Sequence, residues 1–208
     1  EVKGRIQVLV KRLYDIYAKT RKEMEKKGIL VRSGEDLTAE QRRFVKHYFE
    51  STLFPIITPM AVDQSHPFPV LRSKTLAFAV SLSRYDTLQL AIIPMPKNIS
   101  RTIKLPAEAD ELAFIRIEDV IRPHLGAFFK GYKVADSALF RLVRDSEIYV
   151  DEGYAPDLLK AIETEVKKRP LARSVCLEIE RSCTPELLAQ LGEGIHFPRE
   201  DVTFVTGE

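Results

Sequence analysis

The sequence contains no tryptophan, only two cysteines and only nine glycines among its 208 residues. Two cysteines are too few for a disulfide framework, and they indicate a reducing, cytoplasmic compartment. The glycines fall in neither of the Gly-rich patterns that hold nucleotide phosphates, so a nucleotide site built on such a loop is excluded. The metal and redox chemistry of His-Glu-x-x-His and Cys-x-x-Cys motifs is excluded in the same way.

The sequence also lacks long apolar runs and a large excess of charge of one sign. No run approaches the roughly eighteen residues that a membrane-spanning helix needs, and the Lys- and Glu-rich start has no signal-peptide pattern. The sequence carries 32 Lys and Arg against 30 Asp and Glu, a net charge of +2, and is 45% hydrophobic. This is the composition of a globular protein, neither disordered nor collagen-like, and it indicates no function.

Residues 5–27 carry the strongest helical pattern, and Gly28 marks its end. Apolar residues recur at spacings of three and four, which places them on one helical face: Ile6, Leu9, Val10, Leu13, Ile16 and Tyr17. The opposite face is basic, with Lys11, Arg12, Lys19, Arg21, Lys22, Lys26 and Lys27. A solvated face is one interpretation, and an anion-binding surface is the other. Missing recognition motifs and a pI near 8.5 argue against nucleic acid as a partner.

A boundary between two domains is predicted from a change in charge. Residues 1–36 contain ten basic and six acidic side chains, a net charge of +4, whereas the other 172 residues contain 22 and 24, a net charge of −2. The two regions meet at residues 33–36. We therefore expect one domain to end at residue 36 and another to occupy residues 37–208. Residue 1 is Glu, the first helix starts almost at once, and a strand ends the chain, so we expect an excerpt of a longer protein.

The second region mixes helices and strands without regular alternation, which favours an α+β fold. Thr38 and Gln41 form a capping box at the start of a helix that Pro55 ends. Further helices are predicted at 120–125, 156–169 and 184–191. Strands are predicted at 76–82, 88–93, 102–105, 114–117, 139–144 with 147–150, 175–179 and 202–205. We expect a mixed, largely antiparallel sheet packed with helices, preceded by a long helix from a separate helical domain.

The four histidines are scattered along the sequence. His47 lies in a charged helix, His124 near a helix end where a capping or core role is expected, and His196 beside nothing that would make it a base. His66 lies in the proline-rich stretch, where a functional contact and a role in packing or hydrogen-bonding the loop both remain open.

Other reactive side chains have similarly plain interpretations. The spacing of Cys176 and Cys183 fits no metal site, so idle or buried thiols are expected. The carboxylate pairs Asp151-Glu152 and Glu178/Glu180 are predicted to lie on solvated faces. Arg144-Asp145 is predicted to form a local ion pair that closes a turn.

A proline-punctuated string carries a family resemblance. It comprises His47-Tyr48-Phe49, residues 54–63 and His66-Pro67-Phe68-Pro69. The string closely resembles the start of the middle, or head, domain of bacterial polyphosphate kinase of the first type. Similar stretches follow at Leu105-Pro106, 114–121, 140–146 and Asp201-Val202, so the resemblance covers nearly the whole chain.

The resemblance implies that residues 1–36 are the last helix of a helical N-terminal domain and residues 37–208 the head domain. It implies a homodimeric parent enzyme that reversibly transfers the terminal phosphate of ATP to polyphosphate, with magnesium and through a phosphohistidine. Peripheral membrane association of that parent is left open.

In that family the phosphorylated histidine, the magnesium-binding arginines and most nucleotide contacts lie in two C-terminal domains, whose sequence is not present here. We therefore predict no catalytic, cofactor-binding or metal-binding residue in this chain, and no cofactor bound to it. His66 is not the phosphorylated residue, which favours its role within the loop. The resemblance instead implies structure, dimer contacts and part of a tunnel wall. Two alternatives remain: a stand-alone module that binds an anionic polymer or a partner protein, and a degenerate homologue that serves as a dimerisation scaffold.

Overall fold

The computed structural model describes residues 2–85, 87–145, 174–195, 197 and 202–206. They divide into two compact units, one drawn from residues 1–58 and 95–134 and the other from residues 59–94 and 135–208. The elements, in chain order, are α1 (Val2–Glu25), β1 (Ile29–Arg32), α2 (Ala39–Tyr48), a π-helical turn (Phe49–Leu53), β2 (Met60–Val62), β3 (Leu76–Arg84), β4 (Thr87–Pro94), β5 (Thr102–Leu105), β6 (Leu112–Arg116), α3 (Ile117–Ile121), a 3₁₀ helix (Arg122–Phe128), β7 (Lys133–Arg144), β8 (Ser174–Glu180), α4 (Pro185–Ile195) and β9 (Val202–Val205).

The first unit contains a three-stranded sheet in the order β1-β6-β5. β1 runs parallel to β6, and β5 runs antiparallel to it. Gly28 makes the turn from α1 into β1 at φ +75°, where a Cβ would lie 2.7 Å from the carbonyl oxygen of Asp110. Glycine is the residue that tolerates both the positive φ and the close approach. The strand at 29–32 was not predicted from the sequence, and the domain boundary at residue 36 stays a prediction.

The core of the first unit is aromatic around Phe49, which is 2% exposed. Its ring packs against those of Phe54, Phe128 and His124 at centroid distances of 5.9, 5.6 and 4.3 Å. The capping box that starts α2 is confirmed, because Gln41 N donates to Thr38 Oγ1 while Thr38 N donates to Gln41 Oε1, both at 3.2 Å. The cap satisfies two backbone donors that the first helical turn leaves unpaired.

The second unit contains a six-stranded sheet in the order β2-β4-β3-β7-β8-β9. The β3–β4 hairpin is antiparallel as predicted, as are the pairs β2–β4 and β7–β8, whereas β8 and β9 are parallel. α4 adds Leu187 and Leu191 to the core of this unit. The expected α+β class, with mostly antiparallel sheets and a long first helix, is confirmed.

Two strands of the second unit differ from expectation. β3 was expected to bury one face, yet Ala77 and Ala79 are as fully buried as Phe78 and Val80. The small alanine side chains allow close packing on the second face of the strand. β7 begins at Lys133 rather than near residue 139, because polar Asp136 and Ser137 interrupt the hydrophobic alternation that would have indicated it. The predicted strand at 147–150 and helix at 156–169 lie outside the described residues.

Candidate functional site

A cleft of about 290 Å³ lies where α1 ends and β1 begins, within the first unit. It is lined by Arg21, Glu25, Leu30, Val31, Arg32 and Asp36. Arg21 crosses the turn and donates from Nη2 to the carbonyl oxygen of Val31 at 2.8 Å. Its Nε lies 3.5 Å from Glu25 Oε1, and Asp36 accepts a hydrogen bond from the Ser33 hydroxyl at 2.8 Å. The cleft therefore presents two guanidinium groups with two carboxylates.

The two faces of α1 remain distinct in the structure. Its apolar residues Ile6, Leu9, Leu13 and Ile16 are all exposed, and so are its basic residues Lys11, Arg12, Lys19 and Lys22. Arg21 is the exception, since it is half-buried in the cleft. The helix thus offers an uncovered apolar stripe beside a surface of positive charge.

A buried ionic cluster lies where β6 passes into α3. The Glu118 side chain is 1% exposed, and its Oε1 lies 2.8 Å from Arg101 Nη2 and 3.9 Å from Arg116 Nε. Arg116 Nε also donates to Asp119 Oδ2 at 2.9 Å. Burial raises the pKa of the Asp119 carboxyl, although the Arg116 guanidinium partly offsets that effect. Because the two carboxylates face two guanidinium groups, this cluster forms an internal brace of the first unit.

His66 and Asp63 form a pair in the proline-rich loop. Asp63 Oδ1 accepts from the backbone nitrogens of Ser65 and His66, both at 2.8 Å, and lies 3.0 Å from His66 Nδ1. The Ser65 bond and then the His66 side chain lower the pKa of the Asp63 carboxyl. The His66 ring is 72% exposed, so it hydrogen-bonds the loop and does not pack into it.

The other histidines have separate surroundings. The half-buried His124 has Nδ1 2.9 Å from the carbonyl oxygen of Val120 and stacks on Phe49, as a core or capping role requires. His47 is exposed on α2. His196 lies outside the described residues. His47 and His124 belong to the first unit and His66 to the second.

The sulfur and carboxylate candidates belong to the second unit. Cys176 and Cys183 are both half-buried free thiols. Burial, and then the charges of Asp136 and Glu180, raise the pKa of Cys183 to about 12. A thiol with so high a pKa is a poor nucleophile at neutral pH.

One carboxylate prediction was wrong. Glu180 was expected on a solvated face but is 4% exposed, and its Oε2 accepts from the backbone nitrogen of Leu139 at 2.8 Å. The N–H group of the neighbouring strand requires an acceptor there, which accounts for the burial. Glu178 pairs with Arg141 nearer to solvent. Arg144 donates from Nε to the carbonyl oxygen of Leu71 at 2.9 Å, while Asp151 and Glu152 lie outside the described residues.

Sequence reasoning missed the partners that folding brings to these sites. Arg101 and Asp136 carried no signal in the sequence, because their partners are distant in the chain. Arg32 carried none because the cleft that it lines forms only on folding. Glu118 and Asp119 belonged to the family string, but no local pattern indicated that they would be buried. Among the described residues, no group of three or more His, Cys, Asp or Glu side chains is placed to hold a metal ion. None of the described helices combines the length and the apolar character needed to span a bilayer.

Comparison with known proteins identifies the family. Residues 40–207 match the family described as polyphosphate kinase middle domain. The chain belongs to that family. A polyphosphate kinase of Bacillus anthracis is 39% identical over 193 residues, which cover 88% of this chain and 27% of that protein. One of an Exiguobacterium species is 34% identical over 207 residues, covering 98% of this chain and 29% of that protein.

A solved structure shares the fold of this polyphosphate kinase middle domain. The crystal structure of polyphosphate kinase from Porphyromonas gingivalis superposes with a TM-score of 0.80 at 18% identity, covering 100% of this chain and 30% of that one. The family resemblance found in the sequence is confirmed. The chain spans between a quarter and a third of the length of these relatives.

Proposed function

We propose that the chain is the middle-domain part of a longer polyphosphate kinase, which reversibly transfers the terminal phosphate of ATP to polyphosphate. The observation that carries the proposal is the family match over residues 40–207, together with relatives of which this chain covers only 27% and 29%. In the proposal, the phosphohistidine, the ATP contacts and the Mg²⁺ site belong to the remaining part of the enzyme. The proposal places no metal-binding residue in this chain.

The proposed role of this part is structural: it supplies contacts in a homodimer and part of the wall of the polyphosphate tunnel. The basic side chains of α1 support a location near a polyanion, because exposed Lys and Arg provide the counter-charge that phosphates need. This structural role requires no nucleophilic side chain among the described residues. The enzyme chemistry is therefore expected to require the whole protein.

The exposed stripe of α1 supports the expectation that residues 1–36 close a helical domain. Leu9 and Leu13 are 56% and 62% exposed, although a helix of this pattern normally buries such residues. Leu13→Glu should change the free energy of unfolding of the 208-residue chain by less than about 0.5 kcal/mol. In the full-length protein it should cost about 2 kcal/mol or more, because there it would bury a charge. Equal effects in both proteins would contradict this arrangement.

The activity is tested by comparing the 208-residue chain with the full-length protein encoded by its gene. ATP-dependent synthesis of polyphosphate is measured with Mg²⁺ present. We expect activity in the full-length protein and none in the chain alone. Activity in the chain would contradict the placement of the chemistry elsewhere, and an inactive full-length protein would contradict the kinase itself.

The basic surface of α1 also favours a second candidate, a non-enzymatic module that holds an anionic polymer or a partner protein. A scaffold that only dimerises is a variant of the same idea. An inactive full-length protein that still binds polyphosphate would favour the module. Sedimentation of the 208-residue chain tests the scaffold, since a strict monomer would contradict a dimer built from this part alone.

A further inference from the structure

The turn between β3 and β4 holds a tyrosine in a backbone conformation that its side chain disfavours. Only residues 85 and 86 join Arg84 to Thr87, which are paired across the two strands. Tyr85 has φ +47°, in the left-handed region. The favoured two-residue hairpin turns require positive φ, and glycine, asparagine or aspartate usually supplies it. A residue with a large side chain incurs a steric cost there, so the local fold alone would favour another residue than Tyr85.

The Tyr85 ring has little cover from the rest of the chain. The residue is 86% exposed, and one face of its ring lies 5.1 Å from the guanidinium carbon of Arg84. A cation–π contact at so exposed a position stabilises only weakly. Aromatic rings are, by contrast, among the side chains that contribute most to binding when a partner protein covers them. The positive φ and the exposure of Tyr85 together point to a contact outside the chain.

Leu88 gives an independent indication at the same end of the hairpin. Side chains alternate along β4, so Leu88, Leu90 and Ile92 lie on one face of the sheet. Leu90 and Ile92 belong to the core of the second unit and are 5% and 0% exposed, whereas Leu88 is 51% exposed. β2 pairs with β4 only as far as Leu90, so the hairpin extends beyond that neighbour. The exposed side chains at its end form a hairpin tip: Arg84, Tyr85 and Leu88.

The chemistry of the hairpin tip limits its partner. The tip joins the positive charge of Arg84 to apolar surface, so an acidic surface with an apolar side chain complements it. The chain itself carries such a surface in its first unit. Glu108 and Asp110 are exposed, and Leu112, which follows them at the start of β6, is 43% exposed. A second copy of the chain therefore offers a surface of the required kind.

We propose that the hairpin tip is a contact of the homodimer and docks onto residues 108–112 of a second copy of the chain. Two-fold symmetry makes each copy present its own tip and receive the other, so the contact occurs twice and every substitution acts twice. The contact covers the Tyr85 ring and offsets the cost of its positive φ. The inference rests on the homodimer of the proposed function and names a surface that forms it.

Sedimentation equilibrium of the full-length protein encoded by the gene tests the contact. Tyr85→Gly removes the ring and should weaken the association of the two copies about tenfold or more. Tyr85→Phe keeps the ring and should associate as the unsubstituted protein does. Lys74→Gly is the matched control, because Lys74 is also exposed and has φ +64° but carries no ring. It should leave the association unchanged.

The stability of the 208-residue chain separates a lost contact from a damaged fold. Glycine adopts positive φ without the steric cost, so neither Tyr85→Gly nor Lys74→Gly should lower the midpoint of urea unfolding. A lower midpoint for Tyr85→Gly would contradict a ring held for a partner. Should that variant not fold, Leu88→Ser carries the same expectation of weaker association.

An exchange of charges tests the receiving surface. Arg84→Glu and Asp110→Lys should each weaken the association, because each places like charges opposite one another across the contact. The double variant should recover most of the loss, since it restores opposite charges. A double variant as weak as the two single effects combined would overturn residues 108–112 as the docking site.

The remaining outcomes distinguish this proposal from the function on which it rests. A monomeric full-length protein would overturn the proposal together with the homodimer. A dimer that Tyr85→Gly leaves intact would overturn the proposal alone, and so would equal weakening by Lys74→Gly. Synthesis of polyphosphate is measured on the same samples, so the kinase activity is judged by a separate readout.

Discussion

The two units hold their inward-facing carboxylates by different means. In the first unit, Glu118 lies 2.8 Å from a guanidinium nitrogen of Arg101, and Asp119 lies 2.9 Å from one of Arg116. In the second unit, Asp136 Oδ2 accepts from the backbone nitrogen of Thr184 at 3.1 Å and from its hydroxyl at 2.7 Å. Glu180 accepts from a backbone N–H group in the same unit.

This difference determines how strongly the negative charge of each carboxylate acts on the groups around it. A guanidinium group cancels the charge of a carboxylate, whereas neutral donors stabilise it without cancelling it. Asp136 and Glu180 accordingly add to the burial that raises the pKa of Cys183 to about 12. The charges of the first unit are thus paired within their cluster, and those of the second unit suppress the reactivity of a thiol.

The largest expected effect concerns that thiol. With its pKa near 12 rather than 9.0, Cys183 should hold roughly a thousandfold less thiolate at pH 8 in the folded protein than in the unfolded chain. Alkylation by iodoacetamide, followed by mass spectrometry of the peptides, should show that suppression between native and denaturing conditions. Equal alkylation rates under native and denaturing conditions would contradict this suppression of the thiol in the second unit. The folded pKa is raised, so the thiol contributes stability below pH 9, and this contribution declines as the pH rises towards 12.

A smaller effect is expected from the ionic brace of the first unit. Glu118→Ala removes the carboxylate that faces Arg101 and Arg116, and should lower the free energy of unfolding by about 3 kcal/mol. This expected loss lies at the lower end of the range for breaking a buried ion pair, because Arg101 is 63% exposed and Arg116 keeps its contact with Asp119. Urea unfolding measures the change, with Glu108→Ala as the control at an exposed carboxylate. A loss no larger than that of the control would show that the cluster contributes little.

The smallest effect is expected at Asp136. Asp136→Asn keeps one acceptor oxygen for Thr184 but removes the negative charge, so the free energy of unfolding should fall by only about 1 kcal/mol. Alkylation of Cys183 should become faster, because one of the two neighbouring charges is gone. Ser137→Ala is a suitable control, since Ser137 donates to Asp136 through its backbone nitrogen alone. An unchanged alkylation rate in Asp136→Asn would indicate that burial raises the pKa of Cys183 without any contribution from the Asp136 charge.

The elements with local signals were predictable from the sequence. The capping box of Thr38 and Gln41 joins residues three positions apart, and the β3–β4 hairpin joins neighbouring segments, so both depend on short-range pattern alone. The helix over α1 followed from its apolar spacing. The family followed from the proline-punctuated string, whose prolines restrict the backbone in a recognisable order.

Other features depended on partners distant in the sequence. β1 has only four residues, and it forms a strand because it pairs with β6, far along the chain. Glu180 alternates like a solvated residue, yet folding places it where the Leu139 N–H group needs an acceptor. The cleft, likewise, required α1 and β1 to fold back on each other before Arg21 and Arg32 could share it.

The sequence by itself therefore determined the order of helices and strands, the fold class and the family. Apolar spacing, caps and prolines act over a few residues and are readable without the fold. Only the tertiary structure decided which charged groups are buried and what each one faces. The free energy of a buried charge depends on the atoms around it, and these come from segments that only folding brings together.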